Sequence, residues 1–287
     1  MPVLALFVLS LLWGSTFYFT KLLLPDFHAV SIVFYRCLFG GLVLLPFVLL
    51  KKKKTDFKNK GALIGITLLS AGVPWVFMSF SQKGLDTTIS AVINATGPIF
   101  GVLFSVFLLK QKVHRQELLG VAIGFIGIVL SFVFGFSSSG QFQVMSAIFL
   151  LVAVSFYTLS SILTGKFLSS VSVYTLSFVS MAVGSIYSGI FMLLFDLDSY
   201  QYLFSGNSGN NFFYFVMLGV FNSGIGNLLY FYLIKSGGAI FALFITYLMP
   251  ITTILLGVFL LDEPLGFGTI IAFIFVLASI YFTQNKE

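Results

Sequence analysis

One arginine, Arg36, stands in the apolar stretch IVFYRCLFGGLVLLP (32–46), with no acidic residue in the same stretch. A guanidinium in such surroundings has two readings. Its long stem can carry the charge back to water, or to Asp26 or Asp86, or the charge can stay in place as a counter-ion for a ligand carboxylate. A second group of residues offers hydrogen bonds and ring faces inside other apolar runs: Trp13, Thr16, Tyr18, Trp75, Ser155, Tyr157, Asn222, Asn227 and Tyr230. Trp and Tyr in membrane helices usually anchor at the interface, but Trp13 and Trp75 lie near the middle of their runs. Together these residues suit a neutral or zwitterionic solute with an apolar side chain. They suit a phosphorylated sugar poorly, because too few cations lie at depth to balance a phosphate dianion.

Covalent chemistry has no comparable support. Cys37 is the only cysteine and His28 and His114 are the only histidines, so there is no internal disulfide and no ligand set for a metal. The HExxH, GxSxG and phosphate-loop patterns are missing, no cofactor motif is present, and lone serines in apolar helices generally bond their own backbone. The expectation is a protein that is not an enzyme. All nine acids fall in connections or at helix ends, so a proton relay through the bilayer core has no carrier. Facilitation or exchange remains, or coupling through an acid at the mouth such as Asp86 or Glu117.

The elements that hold these residues are set by composition. Of 287 residues, 59% are hydrophobic and 8% charged, and the mean hydropathy is +1.08. A soluble domain needs far more charge to cover its surface. Apolar runs of about 20 residues, each long enough to cross a bilayer as a helix, recur along the chain. The alternation that marks a membrane β-barrel is missing from runs such as AIFLLVAVSF. Ten spans are expected: 3–24, 29–50, 61–81, 87–109, 117–136, 143–165, 172–195, 212–234, 239–261 and 265–283. The stretch DLDSYQYLFSGNSGNN (196–211) reads as an irregular exposed loop. The N-terminus lacks a basic leader region and reads as the first span.

Charge orients the spans. With the N-terminus in the cytoplasm, 12 of the 15 basic residues fall inside, including Lys51 to Lys54, Lys110, Arg115, Lys166 and Lys235; Lys21 and Lys83 fall outside. The positive-inside rule therefore places both termini in the cytoplasm of a multi-pass cell-membrane protein, with lipid rather than nucleic acid as the partner of its net charge of +6.

The chain also repeats itself. INATGPIFGVLFSVFLL (93–109) and ITYLMPITTILLGVFLL (245–261) share 8 of 17 residues without a gap, and the first runs into KQK, the second into DEP. A duplicated unit of five helices enters the membrane upside down, so one helix ends inside and its copy outside. The expectation is two inverted five-helix repeats, 1–137 and 138–287, joined near SSSGQ (137–141).

Several short motifs resemble the drug/metabolite transporter superfamily, in its EamA-type ten-helix members. WGSTF (13–17) is similar to the family's early Trp-Gly-Ser/Thr element, FYRCLFGGLVLLP (34–46) to its second-span pattern, and FLLDEPL (259–265) to its Leu-x-Glu segment. Gln111 departs from the Glu usual in the first copy. The resemblance implies a carrier working by alternating access, with a central cavity lined by helices one, three, six and eight. It also implies small organic metabolites, often amino acids, frequently exported. A passive channel or facilitator pore, or a carrier for nucleotides or sugars, stands as the alternative.

The repeated helices carry one more pattern. Pro98 and Pro250 have no N–H and free the carbonyls of Asn94 and Thr246, which are repeat equivalents. Ser90, Asn94, Gly97, Gly101 and Ser105 share one helical face, as do Ala242, Thr246, Met249, Thr253 and Gly257. These faces are expected to turn from lipid, with the prolines as hinges and Asn94 and Thr246 in the binding site. Gly120, Gly124 and Gly127 share another small face, suited to close helix packing and to a homo-oligomer through that helix.

Overall fold

The computed structural model of the chain describes residues 2–50, 59–110, 115–135, 140–205, 210–243 and 245–284. The lysine-rich loop 51–58, the segment 111–114 with Gln111 and His114, and the serines 137–139 of the expected joint lie outside the described residues. Among the described residues all regular structure is helical. Ten helical stretches lie within a few residues of the ten expected spans: α1 (Pro2–Leu23), α2 (Ala29–Leu50), α3 (Lys60–Ser81), α4 (Thr87–Leu108), α5 (Arg115–Gly135), α6 (Gln143–Phe167), α7 (Val173–Phe195), α8 (Asn211–Ala239), α9 (Phe241–Leu260) and α10 (Phe267–Gln284). Over their described residues, eight are long and apolar enough to cross a membrane; α5 and α10 are not among those eight.

The outward faces confirm the solvent. Phe107 and its repeat counterpart Phe259 are 75% and 73% exposed, beside exposed Leu49, Ile186, Leu193 and Leu255. A belt of bare Leu, Ile and Phe is at home in lipid, where every backbone group must be bonded within a helix. The chain is an all-α integral membrane protein.

α1, α3, α4, α6, α8 and α9 pack around a common core that includes Leu9, Trp13, Ile93, Val154, Tyr230 and Met249. α2 lies along α7 at one flank and α5 along α10 at the other. Gly120, Gly124 and Gly127 are buried within this single chain. α2 also crosses α8 closely, because both are glycine-rich there: a methyl at Gly219 would sit 3.2 Å from the Arg36 carbonyl oxygen. That approach brings Arg36 beside Ser223.

The central helices are irregular at the depth of the core. α1 is interrupted at Ser15, and α4 opens into a turn at Ala95 and Thr96, just before Pro98. α9 continues through Pro250 without such an opening. α3 widens into a π-helical turn at Leu68–Gly72 and α8 into one at Met217–Ile225. The offset that aligns Pro98 with Pro250 carries the first widening into the second. Such turns release carbonyls, and helices of the other half take them up. Trp13 Nε1 donates to the Asn222 carbonyl at 2.9 Å, and Ser160 Oγ to the Ile66 carbonyl at 2.9 Å.

The 196–211 connection differs from the irregular loop expected. It holds a 3₁₀ turn (Leu197–Gln201) and a helical turn (Tyr202–Ser205). Polar side chains pin both ends. Asp196 accepts from His28 N at 3.0 Å and Ser31 Oγ at 2.6 Å, while Asn211 Nδ2 donates to Asp26 at 2.7 Å and to the Tyr202 carbonyl at 2.9 Å.

Candidate functional site

A cavity of about 40 Å³ lies in the core, walled by Trp13, Thr16 and Phe17 of α1, Arg36 of α2, Pro74, Trp75 and Met78 of α3, Asn94 of α4, Val154 and Tyr157 of α6, and Thr246 and Met249 of α9. The volume admits a few water-sized spheres. Seven of the expected residues meet here: Trp13, Thr16, Arg36, Trp75, Asn94, Tyr157 and Thr246.

The others stand elsewhere. Tyr230 packs behind the wall, with its ring 4.8 Å from Trp13 and 5.1 Å from Tyr157 and its hydroxyl bonded to Ser161. Asn222 holds α1, its Nδ2 donating to Ser15 Oγ at 3.1 Å and Thr16 Oγ1 at 3.3 Å. Asn227 Nδ2 bonds the Ser223 carbonyl at 3.0 Å, and Ser155 Oγ turns back to the Val152 carbonyl at 2.8 Å. Tyr18 packs on Phe19 at 5.3 Å. Pro98 and Pro250 belong to the helices without lining the cavity. Phe17, Pro74, Met78, Val154 and Met249 do line it. Of these, Met249 belongs to the α9 face expected to turn from lipid; the apolar types of the other four are indistinguishable in sequence from lipid-facing positions.

Arg36 neither reaches the interface nor pairs with Asp26 or Asp86. It is 2% exposed. Its Nε donates to Ser223 Oγ at 2.9 Å, and its guanidinium carbon lies 3.8 Å from the centre of the Trp75 ring. Snorkelling fails because the α2–α8 crossing fixes the stem. Asp26 is engaged by Asn211, and Asp86 sits at the start of α4. An arginine withdrawn from water costs several kcal/mol, offset here in part by the ring face and one hydroxyl. The terminal nitrogens have no hydrogen bond among the described residues, so the charge is held in place and left under-coordinated.

A second, larger hollow of about 680 Å³ lies at one end of the bundle, lined by Ser105, Thr164, Lys166, Ser169, Ile234, Lys235 and Gly237 among others. The other end is closed by polar contacts. Glu263 accepts from Thr87 N at 2.8 Å, Thr87 Oγ1 at 2.8 Å and Thr88 N at 3.0 Å. Lys21 Nζ caps the end of α3 at the carbonyls of Gln82 (3.1 Å) and Leu85 (2.8 Å). The Asp86 carboxyl here is pushed above its usual range, first by burial and then by Glu263, with Lys21 opposing. His28, at the same end, is held below its usual range by burial and by Lys83, with Asp196 opposing.

A polytopic helical protein with a cavity at membrane depth that holds an arginine, an amide and hydroxyls among apolar walls, shut toward one end and hollow toward the other, has the architecture of a membrane transporter. The chain belongs to the EamA-like transporter family, whose model matches residues 1–133 and again 144–284. It is 24% identical to an uncharacterized transporter of Clostridium kluyveri, over 92% of this chain and 86% of that one. It is 27% identical to the uncharacterized inner membrane transporter YedA of Escherichia coli, over 91% and 83%. An S-adenosylmethionine uptake transporter of Rickettsia bellii is 28% identical over 63% and 62%. A solved crystal structure, 15% identical, superposes with a TM-score of 0.70 over 99% of this chain and 96% of the other, and shares the fold.

Proposed function

We propose that the protein is a secondary carrier for small organic metabolites that bear a carboxylate, amino acids and related acids being the class to test first. It works by alternating access between its two five-helix halves. The observation that carries this reading is Arg36: a fixed, under-coordinated guanidinium beside Trp75, in a cavity also walled by Trp13, Tyr157, Asn94 and Thr246. The guanidinium suits a carboxylate and the rings suit an apolar side chain. The small central volume, set against the wide hollow at the lysine-bearing end, fits a carrier that must rearrange to admit its solute. It fits a standing pore less well.

Both termini lie in the cytoplasm in this reading, and the lysine-bearing end faces inward. The family resemblance implies export. Reconstitution in proteoliposomes tests the proposal, with counterflow of labelled amino acids, organic acids, nucleosides, sugars and S-adenosylmethionine. Saturable exchange of a carboxylate-bearing solute is the expected result. Exchange confined to sugars or nucleosides, or unsaturable conductance, overturns it.

A further inference from the structure

The charge balance of the cavity narrows the solute further, given that the cavity is the carrier's binding site. Among the described residues, Arg36 is the only charged one in the cavity lining. Three acids are engaged elsewhere: Asp26 by Asn211, Asp196 by His28 and Ser31, and Glu263 by Thr87 and Thr88. Asp86 lies with Glu263 and Lys21 at the closed end, and Asp198 and Asp262 are exposed. Among the described residues, no acid lines the cavity to receive an ammonium group.

We infer that the site is built for an organic monoanion, a solute with one carboxylate and no compensating cation, in preference to a zwitterion or an amine, which sets simple organic acids ahead of amino acids within the carboxylate-bearing class proposed above. The cavity's own side chains carry one positive charge in a setting of low dielectric, where uncompensated charge is most costly. A monoanion brings the occluded site to neutrality. A zwitterion satisfies the guanidinium but leaves the site with the same net charge, and its ammonium finds only hydroxyls, an amide and ring faces. A cation doubles the charge. Ser223 and Trp75 hold the guanidinium by its Nε edge and one face, which leaves the fork of terminal nitrogens for a bidentate carboxylate. Trp75 and Trp13 place rings beside it for an apolar or aromatic body.

The chain has two tryptophans, and both line this cavity, so intrinsic fluorescence of the purified full chain reads the site directly. Four probes on one skeleton separate charge from shape: 3-phenylpropionate, phenylalanine, phenethylamine and 3-phenylpropanol at neutral pH. A second set repeats the design on a branched skeleton: 4-methylpentanoate, leucine, isoamylamine and isoamyl alcohol. The expected result is that in at least one set the monoanion binds about tenfold or more tighter than the zwitterion, with the amine weakest. R36M abolishes the preference, while R36K, which keeps the charge, retains its order. A thermal melt of each variant checks folding, and the R36K result stands if R36M does not fold. The inference is overturned if a zwitterion or alcohol binds as tightly as its monoanion, if neither monoanion binds, or if R36M keeps the preference. Counterflow keeps the two proposals apart. Exchange of phenylalanine but not phenylpropionate leaves the carrier standing and removes this inference. Quenching by phenylpropionate without exchange of any solute does the reverse.

Discussion

Glu263, just past the end of α9, closes on Thr87 at the start of α4, its carboxylate taking both the backbone N–H and the hydroxyl of that residue at 2.8 Å. The free amides at a helix N-terminus favour a negative charge, and Thr88 N adds a third donor. The contact joins α9 to α4 at one end of the bundle. At the opposite end, Ser105 of α4, the end of α6 and the end of α8 line the 680 Å³ hollow.

Removing that charge should loosen the closed end. Glu263→Gln keeps the shape but gives up charge-assisted hydrogen bonds, each worth about 1.5–3 kcal/mol. The closed-to-open ratio should fall tenfold or more. A cysteine at Ser79, buried behind the closed end, reports this in a Cys37→Ser background. Its labelling by an impermeant thiol reagent should rise in Glu263→Gln, and unchanged labelling would show that Glu263 only caps a helix.

Asp86 gives the same end a pH dependence. Its carboxyl is raised in the closed form by burial and by Glu263, and an open end returns it to water and to its ordinary value. Closing therefore takes up a proton, and the closed form is favoured at low pH. That advantage is lost as pH rises through the raised value, where two carboxylates face each other with only Lys21 to oppose them. Labelling at Ser79 should increase with pH above the ordinary carboxylate range, and Asp86→Asn should flatten the curve. A rise in labelling toward acid would reverse the sign and refute the account.

The orientation is open to a direct measurement. Single cysteines at Ser170 and Asp198, both exposed, lie in connections that charge counting puts inside and outside. In intact cells with Cys37 replaced, the impermeant reagent should label the Asp198 position and spare the Ser170 position. The converse pattern would place the lysine-bearing hollow on the outer face.

The spans were legible because length and apolarity depend on neighbours along the chain, and the match of Pro98 to Pro250 is a feature of the sequence itself. Among the residues walling the candidate cavity, those picked out from sequence were the ones whose polar or aromatic type stood out at mid-span, such as Trp13, Arg36 and Trp75. Rotation was not legible. Tyr230 and Asn222 have the same credentials as Tyr157, yet one stacks behind the wall and the other buttresses α1. Met78 and Phe17 look like lipid-facing residues and line the cavity instead. Helix facing is fixed by contacts between elements, such as the glycine crossing of α2 and α8, that leave only weak marks in a single sequence.

The proline pair yields the last prediction. Pro98 cannot donate to the Asn94 carbonyl, and α4 opens at Ala95 and Thr96 just before it, with Thr96 Oγ1 bonding the Ile93 carbonyl at 2.7 Å. In α9 the helix runs on through Pro250, and hydroxyls serve its backbone: Thr246 Oγ1 bonds the Leu243 carbonyl at 2.8 Å, and Thr253 Oγ1 bonds those of Gly14 and Met249 at 2.8 and 3.1 Å. The two copies of one segment thus stand in different conformations, broken in one half and continuous in the other. Alternating access between inverted repeats would exchange these roles. Restoring an N–H should favour the continuous form, so Pro98→Ala and Pro250→Ala should each slow exchange several-fold while expression stays near wild type. Asn94 and Thr246 face the cavity, whereas Ser105 faces the hollow. Asn94→Leu should therefore weaken solute binding about tenfold, on the order of one lost hydrogen bond, with Ser105→Ala having a smaller effect. Normal transport by both Asn94→Leu and Thr246→Val would make the small-residue faces of α4 and α9 packing surfaces, and the solute site would then have to lie against α1, α3 and α6 alone.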